Sequence, residues 1–117
     1  LVEVETVLNS EAVMIGGCKK LSDENQEILN ELLFRIEAVK AAENKKYVLM
    51  NVPREKLNDI VALLPGIKSP TILSLADQNW CSVHAVVNEK HFWEVIGKIK
   101  AAGAEGILVL DIEKMVL

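Results

Sequence analysis

Residues 47–81 read YVLMNVPREKLNDIVALLPGIKSPTILSLADQNWC and predict a strand, a short helix, a loop and a second strand. Residues 47–50 form a short apolar run typical of a strand. The next apolar residues share the spacing of one helical face, i, i+3, i+4 and i+7: Leu57, Ile60, Val61 and Leu64. Pro65-Gly66 ends this helix, and Ser69-Pro70-Thr71 leads into the next strand. Because the loop is short and rich in hydroxyl and backbone polar groups, it suits a small polar ligand.

The residues after this stretch complete a repeating pattern. Residues 80–87 alternate as a strand, with one side formed by Cys81, Val83, Ala85 and Val87 and the other by Ser82, His84 and Val86. Asn88 is a helix cap, and Gly103 ends the helix that follows. Residues 107–110 are uninterrupted apolar and predict a central strand covered on one face. The order βαββαβ over residues 46–110 indicates an α+β, ferredoxin-like fold with an antiparallel sheet and both helices on one face.

The second face of such a sheet has no helix to cover it. Four apolar strand residues include some that we expect to point that way: Val48, Ile72, Val83 and Val109. An apolar open face indicates a partner subunit.

The first third of the chain has a different pattern. Residues 1–8 alternate, and residues 12–15 form a second apolar run, so two short strands are predicted before Gly16-Gly17. A long helix follows over about residues 24–44, capped by Ser22 or Asp23. We therefore divide the chain into a connector of two strands and a helix, 1–44, and a compact domain, 45–117.

Composition limits the class of protein. The chain has 117 residues, a net charge of −4 and a pI of about 5.2, which fits one domain and disfavours nucleic-acid binding. No apolar run approaches the ~20 residues that span a bilayer, and no signal peptide is visible. Cys18 and Cys81 have no disulfide or metal spacing, so we expect reduced thiols and a cytoplasmic protein. Without an initiator Met, the chain is either a native product or an excised piece.

Four segments carry a resemblance to a known family. They are NVPREKL (51–57), ALLPGIKSPT (62–71), LAD (75–77) with VHAVV (83–87), and FWEVIGKIKAAGAEGILVLDIEKM (92–115). In this order and spacing they resemble the C-terminal part of the long form of ATP phosphoribosyltransferase, the enzyme that opens histidine biosynthesis. The resemblance implies that residues 45–117 are a histidine-binding regulatory domain. It also implies that residues 1–44 lead out of catalytic domains, to which the family's magnesium belongs and which this chain lacks.

The resemblance also implies a site and a mechanism. It maps the family's L-histidine contacts onto Asn51, Ile67, Ser69, Thr71, Val86 and Gly106. Some relatives carry an acidic side chain where Asn51 stands. The implied function is allosteric feedback inhibition in a homo-oligomer, a trimer or a hexamer, in which histidine binds between neighbouring copies. The long helix would pass the change to the catalytic domains.

The residues alone leave alternatives open. Ser69 and Thr71 could instead form hydrogen bonds with backbone groups of their own loop, and Asn51 could cap the following helix. No Gly-rich phosphate loop is present, so we expect no transferase activity from this chain alone.

The histidines and aromatic residues support weaker readings. His84 and His91 form with Asp77 either a metal or acid–base set, or two ordinary surface histidines and a turn residue. Exposed Trp93 suits an interface or, less well, stacking on a nucleobase.

Two other functions share the predicted fold. One is a stand-alone PII-like or ACT-like sensor, which would have a long loop between the second and third strands. The other is a small dimeric enzyme that uses Asp77 and His84.

Overall fold

The computed structural model describes residues 1–64, 66 and 69–117, and within them the chain forms the predicted helices and strands of the compact domain. The elements are α1 (Asp23–Ala42), β1 (Lys45–Pro53), a 3₁₀ turn (Arg54–Lys56), α2 (Leu57–Leu63), β2 (Thr71–Ser74), β3 (Trp80–Asn88), α3 (Glu89–Ala101) and β4 (Glu105–Asp111). From β1 onward this is the predicted βαββαβ order. Pro53 is the last residue of β1 and directly precedes the 3₁₀ turn.

The four strands form one antiparallel sheet in the order β2-β3-β1-β4. This order confirms the ferredoxin-like fold. The prediction that residues 107–110 form a central strand is wrong, because β4 lies at the edge beside β1. Its apolar run arises because Ile107 and Val109 pack toward the helices, while Leu108 and Leu110 alternate onto the opposite face.

The core lies between the sheet and the helices α2 and α3. Its buried side chains come from alternate positions of β1 and β3, from both helices and from the turn before β4: Val48, Met50, Val52, Ile60, Cys81, Val83, Ala85, Val87, Phe92, Ile99 and Ala104. Asn88 caps α3 by accepting a hydrogen bond from the His91 N–H at 3.4 Å. After α3, Gly103 takes a left-handed φ of 106°, and the Ala104 N–H returns to the Ile99 carbonyl at 3.3 Å.

The helices α2 and α3 leave the opposite face of the sheet uncovered, as predicted, but our assignment of residues to it is corrected. Val48 and Val83 are fully buried under the helices, and Val109 also packs against that core. Ile72 pairs with Val83 and therefore shares its side of the sheet. The residues on the open face alternate with those four: Tyr47, Leu49, Thr71, Leu73, Ser82, His84, Val86, Leu108 and Leu110. We call this set the open face.

The connector differs from its prediction at one end only. Residues 1–22 form neither of the two predicted strands, and their side chains are exposed. A strand needs a neighbour for its backbone N–H and C=O groups, and the described residues supply none there. The predicted helix is present, with the Ser22 hydroxyl accepting from the Asn25 N–H at 3.3 Å.

The apolar stripe of α1, which includes Ile28, Leu32 and Val39, is largely uncovered, since these three side chains are between 45% and 60% exposed. The radius of gyration is 20.5 Å, whereas a compact chain of this length would have one of about 13 Å. The connector therefore projects from the domain. None of the helices in the described residues combines the length and apolar character needed to cross a bilayer.

Candidate functional site

A cavity of about 270 Å³ opens on the open face at the end of the sheet near the loop before β2. Its lining combines hydroxyl, imidazole and apolar groups: Tyr47, Ser69, Thr71, His84, Ala85, Val86, Met115, Val116 and Leu117. The volume lies just below the ~300–1,000 Å³ of typical drug-sized ligand sites. The cavity therefore suits a free amino acid better than a nucleotide.

The strand register explains why these residues meet. Thr71 on β2 lies opposite His84 on β3, and Tyr47 on β1 lies opposite Val86 on β3. All four side chains point to the same side of the sheet because alternate residues of paired strands share a face. Ser69 joins them from the loop that leads into β2.

His84 stands at the centre of this group with both ring nitrogens engaged. Its Nδ1 lies 2.6 Å from the Tyr47 hydroxyl and its Nε2 lies 3.0 Å from the Ser82 hydroxyl. The rings of Tyr47 and His84 meet edge to face, with centroids 5.8 Å apart. These contacts fix the imidazole in one orientation at the wall of the cavity.

A second polar group lies elsewhere on the same face. Asn51 pairs with Glu105 across β1 and β4, just after the register between these strands shifts. Gly106 follows with a left-handed φ of 57°, and a Cβ built on it would lie 3.5 Å from the Asn51 amide nitrogen. The positive φ favours glycine at this position, and Gly106 lies directly beside the Asn51 amide.

The two groups are too far apart to act as one pocket in a single copy. Thr71 lies two strands over from Asn51 and two residues along, since Thr71 pairs with His84 and Asn51 with Ser82. With strands ~4.8 Å apart and a rise of ~3.4 Å per residue, their Cα atoms are about 12 Å apart. We call Ser69, Thr71 and Val86 the first half-site, and Asn51 and Gly106 the second half-site.

The last residues of the chain connect the cavity to α1. The Met115 N–H donates to the Ala38 carbonyl at 2.8 Å. Residues 115–117 line the main cavity and also a second cavity of about 250 Å³ against α1, whose helical wall is formed by Phe34, Glu37, Ala38 and Ala41. We call residues 115–117 the tail; it is a shared wall between the long helix and the first half-site.

One charged cluster lies at the start of β1. Lys46 forms a salt bridge with Asp111 on β4, and its amine lies 3.5 Å from the Glu89 carboxylate at the start of α3. The hydrogen bond to Asp111, followed by the attraction of both carboxylates, raises the pKa of Lys46 above its ordinary value of 10.5. This cluster ties β4 to β1 and to α3 and is not part of the cavity.

The structure describes five of the six residues implied by the resemblance and places them in two separate groups. Ser69, Thr71 and Val86 line the cavity, and Asn51 and Gly106 adjoin each other. Ile67 lies outside the described residues.

The alternative sites do not assemble. Asp77 serves its own turn, where its carboxylate accepts from the Asn79 N–H at 2.9 Å. His91 lies exposed at the start of α3. In the part of the chain that the structure describes, no three His, Cys, Asp or Glu side chains gather to hold a metal ion. Trp93 is exposed beside buried Phe92, as its position in the helix predicts.

Sequence reasoning missed Tyr47, His84 and the tail as cavity residues. The alternation of β3 placed His84 beside Val86, which was a usable signal. The pairing of Thr71 with His84 depends on the register between β2 and β3, which the sequence pattern does not specify. The tail carries no sequence signal of its own, because its backbone hydrogen bond to the Ala38 carbonyl is a tertiary contact.

The comparisons with known proteins show the family to which the chain belongs. The family model described as "HisG, C-terminal domain" matches residues 42–114, and the chain belongs to this family. It is similar to the ATP phosphoribosyltransferases of Phocaeicola vulgatus, with 67% identity over 117 residues, and of Bacteroides fragilis, with 65% identity over the same length. Each alignment covers 100% of this chain and 41% of the relative. The relative from Cytophaga hutchinsonii is 54% identical over 116 residues, 99% of this chain and 40% of its own. The chain thus spans about two-fifths of the length of the curated relatives it matches.

Proposed function

We propose that this chain is the regulatory part of an ATP phosphoribosyltransferase and that it binds L-histidine, the end product of the pathway, as a feedback inhibitor. Family membership and the relatives that carry that name support the assignment. The observation that carries the proposal is the amino-acid-sized cavity lined by Ser69, Thr71 and Val86, three residues of the set that the family resemblance implies. The proposed setting is the cytoplasm.

The separation of the half-sites supports binding between two copies. Hydroxyl groups of the first half-site suit the ligand carboxylate, because hydroxyls donate hydrogen bonds to anions. The Asn51 amide of the second half-site donates and accepts, which suits an imidazole or an ammonium group. Because the half-sites are about 12 Å apart in one copy, a ligand held by both would lie between the first half-site of one copy and the second half-site of its neighbour.

The open face supplies a surface for that neighbour. Its exposed apolar residues are Tyr47, Leu73, Leu108 and Leu110, each between 38% and 55% exposed. An apolar patch continuous with a divided ligand site fits a second copy of the same chain, because one contact would cover the patch and complete the site. The proposed assembly is a homo-oligomer, a trimer or a hexamer.

The connector and the tail supply a route from the site to the rest of the enzyme. Residues 1–44 would join the catalytic domains, which hold the magnesium and carry out the transfer, and the exposed stripe of α1 would contact them. The tail touches both the first half-site and α1. Histidine inhibits only if it binds one arrangement of the oligomer more tightly than another. A coupling free energy of ~1–3 kcal/mol changes affinity by about 5-fold to 150-fold.

The short β2–β3 connection, residues 75–79, disfavours the PII-like alternative, which needs a long exposed loop there. The test is calorimetric titration of the chain with L-histidine, L-glutamine and L-leucine. We expect heat with L-histidine only, and weaker binding in Ser69→Ala/Thr71→Val. The control is Ser74→Ala, which removes a hydroxyl from the other end of β2 and leaves the affinity unchanged. Equal heats for all three amino acids, or none for any, would overturn the proposal.

A further inference from the structure

Two residues at the wall of the cavity lie outside the set implied by the family resemblance. Tyr47 and His84 both line it, and their side chains meet with the Tyr47 oxygen 2.6 Å from Nδ1 of the imidazole. The Ser82 hydroxyl holds the other ring nitrogen at 3.0 Å. Because both of its ring nitrogens are hydrogen-bonded, the His84 imidazole has a fixed orientation relative to a ligand in the cavity.

The arrangement of hydrogens depends on the charge of the imidazole. A neutral imidazole donates at one nitrogen and accepts at the other, so one of the two hydroxyls must give its hydrogen to the ring. An imidazolium donates at both nitrogens, and both hydroxyl oxygens then accept. When His84 is charged, neither hydroxyl donates to the ring, so the Tyr47 hydroxyl hydrogen is free to donate into the cavity.

We infer that Tyr47 and charged His84 together bind the carboxylate of the amino acid in the first half-site. The two residues would then help to determine the specificity of this site. The inference rests on the proposed function. The Tyr47 hydroxyl donates to the carboxylate, and the imidazolium behind it adds a positive charge. Hydrogen bonds to charged groups are stronger than neutral ones. Binding of an anionic ligand and protonation of His84 thus favour each other.

The groups around His84 support this role. The side chains that face it come from β1, β2, β3 and the tail: Tyr47, Leu49, Thr71, Leu73, Ser82, Val86, Met115, Val116 and Leu117. Among these described side chains, Tyr47 is the one other titratable group. Because histidine is the side chain whose charge commonly changes near neutral pH, the test compares affinities at pH 6.0 and pH 8.0.

The experiment measures the dissociation constant for L-histidine at pH 6.0 and pH 8.0 in the unchanged chain, His84→Gln and Tyr47→Phe. The control variant is His91→Gln, which removes the other histidine of the chain, far from the cavity. The titration of the ligand is common to all four proteins and cancels when their pH ratios are compared.

We expect the unchanged chain and His91→Gln to share one pH ratio. In His84→Gln the gain in affinity at pH 6.0 relative to pH 8.0 should be smaller by about tenfold. Tyr47→Phe keeps the aromatic ring and its edge contact with His84 but loses the hydroxyl donor. Its loss of affinity for L-histidine should therefore be larger at pH 6.0 than at pH 8.0. It provides the same test if His84→Gln folds poorly.

Binding of L-histidine with the same pH ratio in all four proteins would overturn this inference and leave the proposed function standing. So would an equal loss of affinity at both pH values, since that indicates a structural role alone. Absence of binding in the unchanged chain at either pH would overturn the proposed function and the inference with it.

Discussion

Complementation between two defective variants tests whether the ligand lies between copies. One variant, Ser69→Ala/Thr71→Val, lacks the hydroxyls of the first half-site, and the other, Asn51→Ala, lacks the amide of the second. Each hydroxyl lost removes a hydrogen bond that contributes ~0.5–1.5 kcal/mol, so the double variant should bind histidine about 5-fold to 150-fold more weakly. Asn51→Ala should lose several-fold to tenfold for the same reason.

The two variants behave differently when they are mixed. The register of β1, β2 and β3 separates the half-sites by about 12 Å within a copy. If each site takes one half from each of two adjacent copies, an oligomer formed from equal amounts of both variants contains some sites built from two intact halves. Independent mixing gives about one quarter of such sites, because each half is intact in half of the copies.

The assay is calorimetric titration of oligomers formed by co-expression of the two variants with different tags and purified through both tags. We expect a high-affinity fraction of sites with the dissociation constant of the unchanged chain, and none in either variant alone. If the mixed oligomers contain no high-affinity fraction while the unchanged chain binds histidine, both halves act within one copy. The reasoning from the strand register would then be refuted.

Three further predictions concern the fold and its coupling to the site. Phe92→Ala empties a fully buried position of the core and should lower the free energy of unfolding by about 3–5 kcal/mol, measured by urea denaturation; a change below 1 kcal/mol would contradict the described core. Met115→Pro removes the N–H that donates to the Ala38 carbonyl. Addition of histidine should therefore slow amide hydrogen exchange at the end of α1 in the unchanged chain but not in the variant. Equal slowing in both proteins would rule out the tail as the link between the first half-site and α1. The raised pKa of Lys46 means that its pairing with Asp111 stabilises the fold below the ordinary pKa of 10.5 and that this contribution is lost as the pH rises through the higher folded value. Between pH 9.5 and pH 12 the unfolding midpoint should therefore fall further in the unchanged chain than in Asp111→Asn, and parallel falls would contradict this.

The sequence predicts the fold well because its local signals agree with one another. The period-two alternation over residues 80–87 and the helical spacing of Leu57, Ile60 and Val61 each specify an element and its buried side. Asn88 and Gly103 mark the ends of α3 by capping chemistry that depends on neighbouring residues only. Such signals are local, so they survive without knowledge of the tertiary structure.

The errors have a common physical cause. A continuous apolar run such as residues 107–110 is expected both for a central strand and for an edge strand with apolar residues on the open face. The run alone does not distinguish the two positions. The two strands expected near the N-terminus need a sheet to join, and alternation alone does not show whether one is present. The assignment of Val48 and Val83 to the open face failed because apolar residues occur on both sides of this sheet.

The sequence predicts only those parts of the candidate site whose residues are close together along the chain. Ser69 and Thr71 lie close together in sequence, so any loop before β2 would place them near each other. The separation of Asn51 from Thr71 follows from the pairing of three strands, which is a property of the folded sheet. The contact of His84 with Tyr47 also requires that register, and it became visible only in the structure.

The most direct measurement is a crystal structure of the chain grown with saturating L-histidine. We predict ligand density between two copies, with the carboxylate at Ser69 and Thr71 of one protomer and the imidazole within hydrogen-bond distance of Asn51 of its neighbour. Ligand density contacting a single protomer only, or an empty cavity facing solvent at that concentration, would contradict the account.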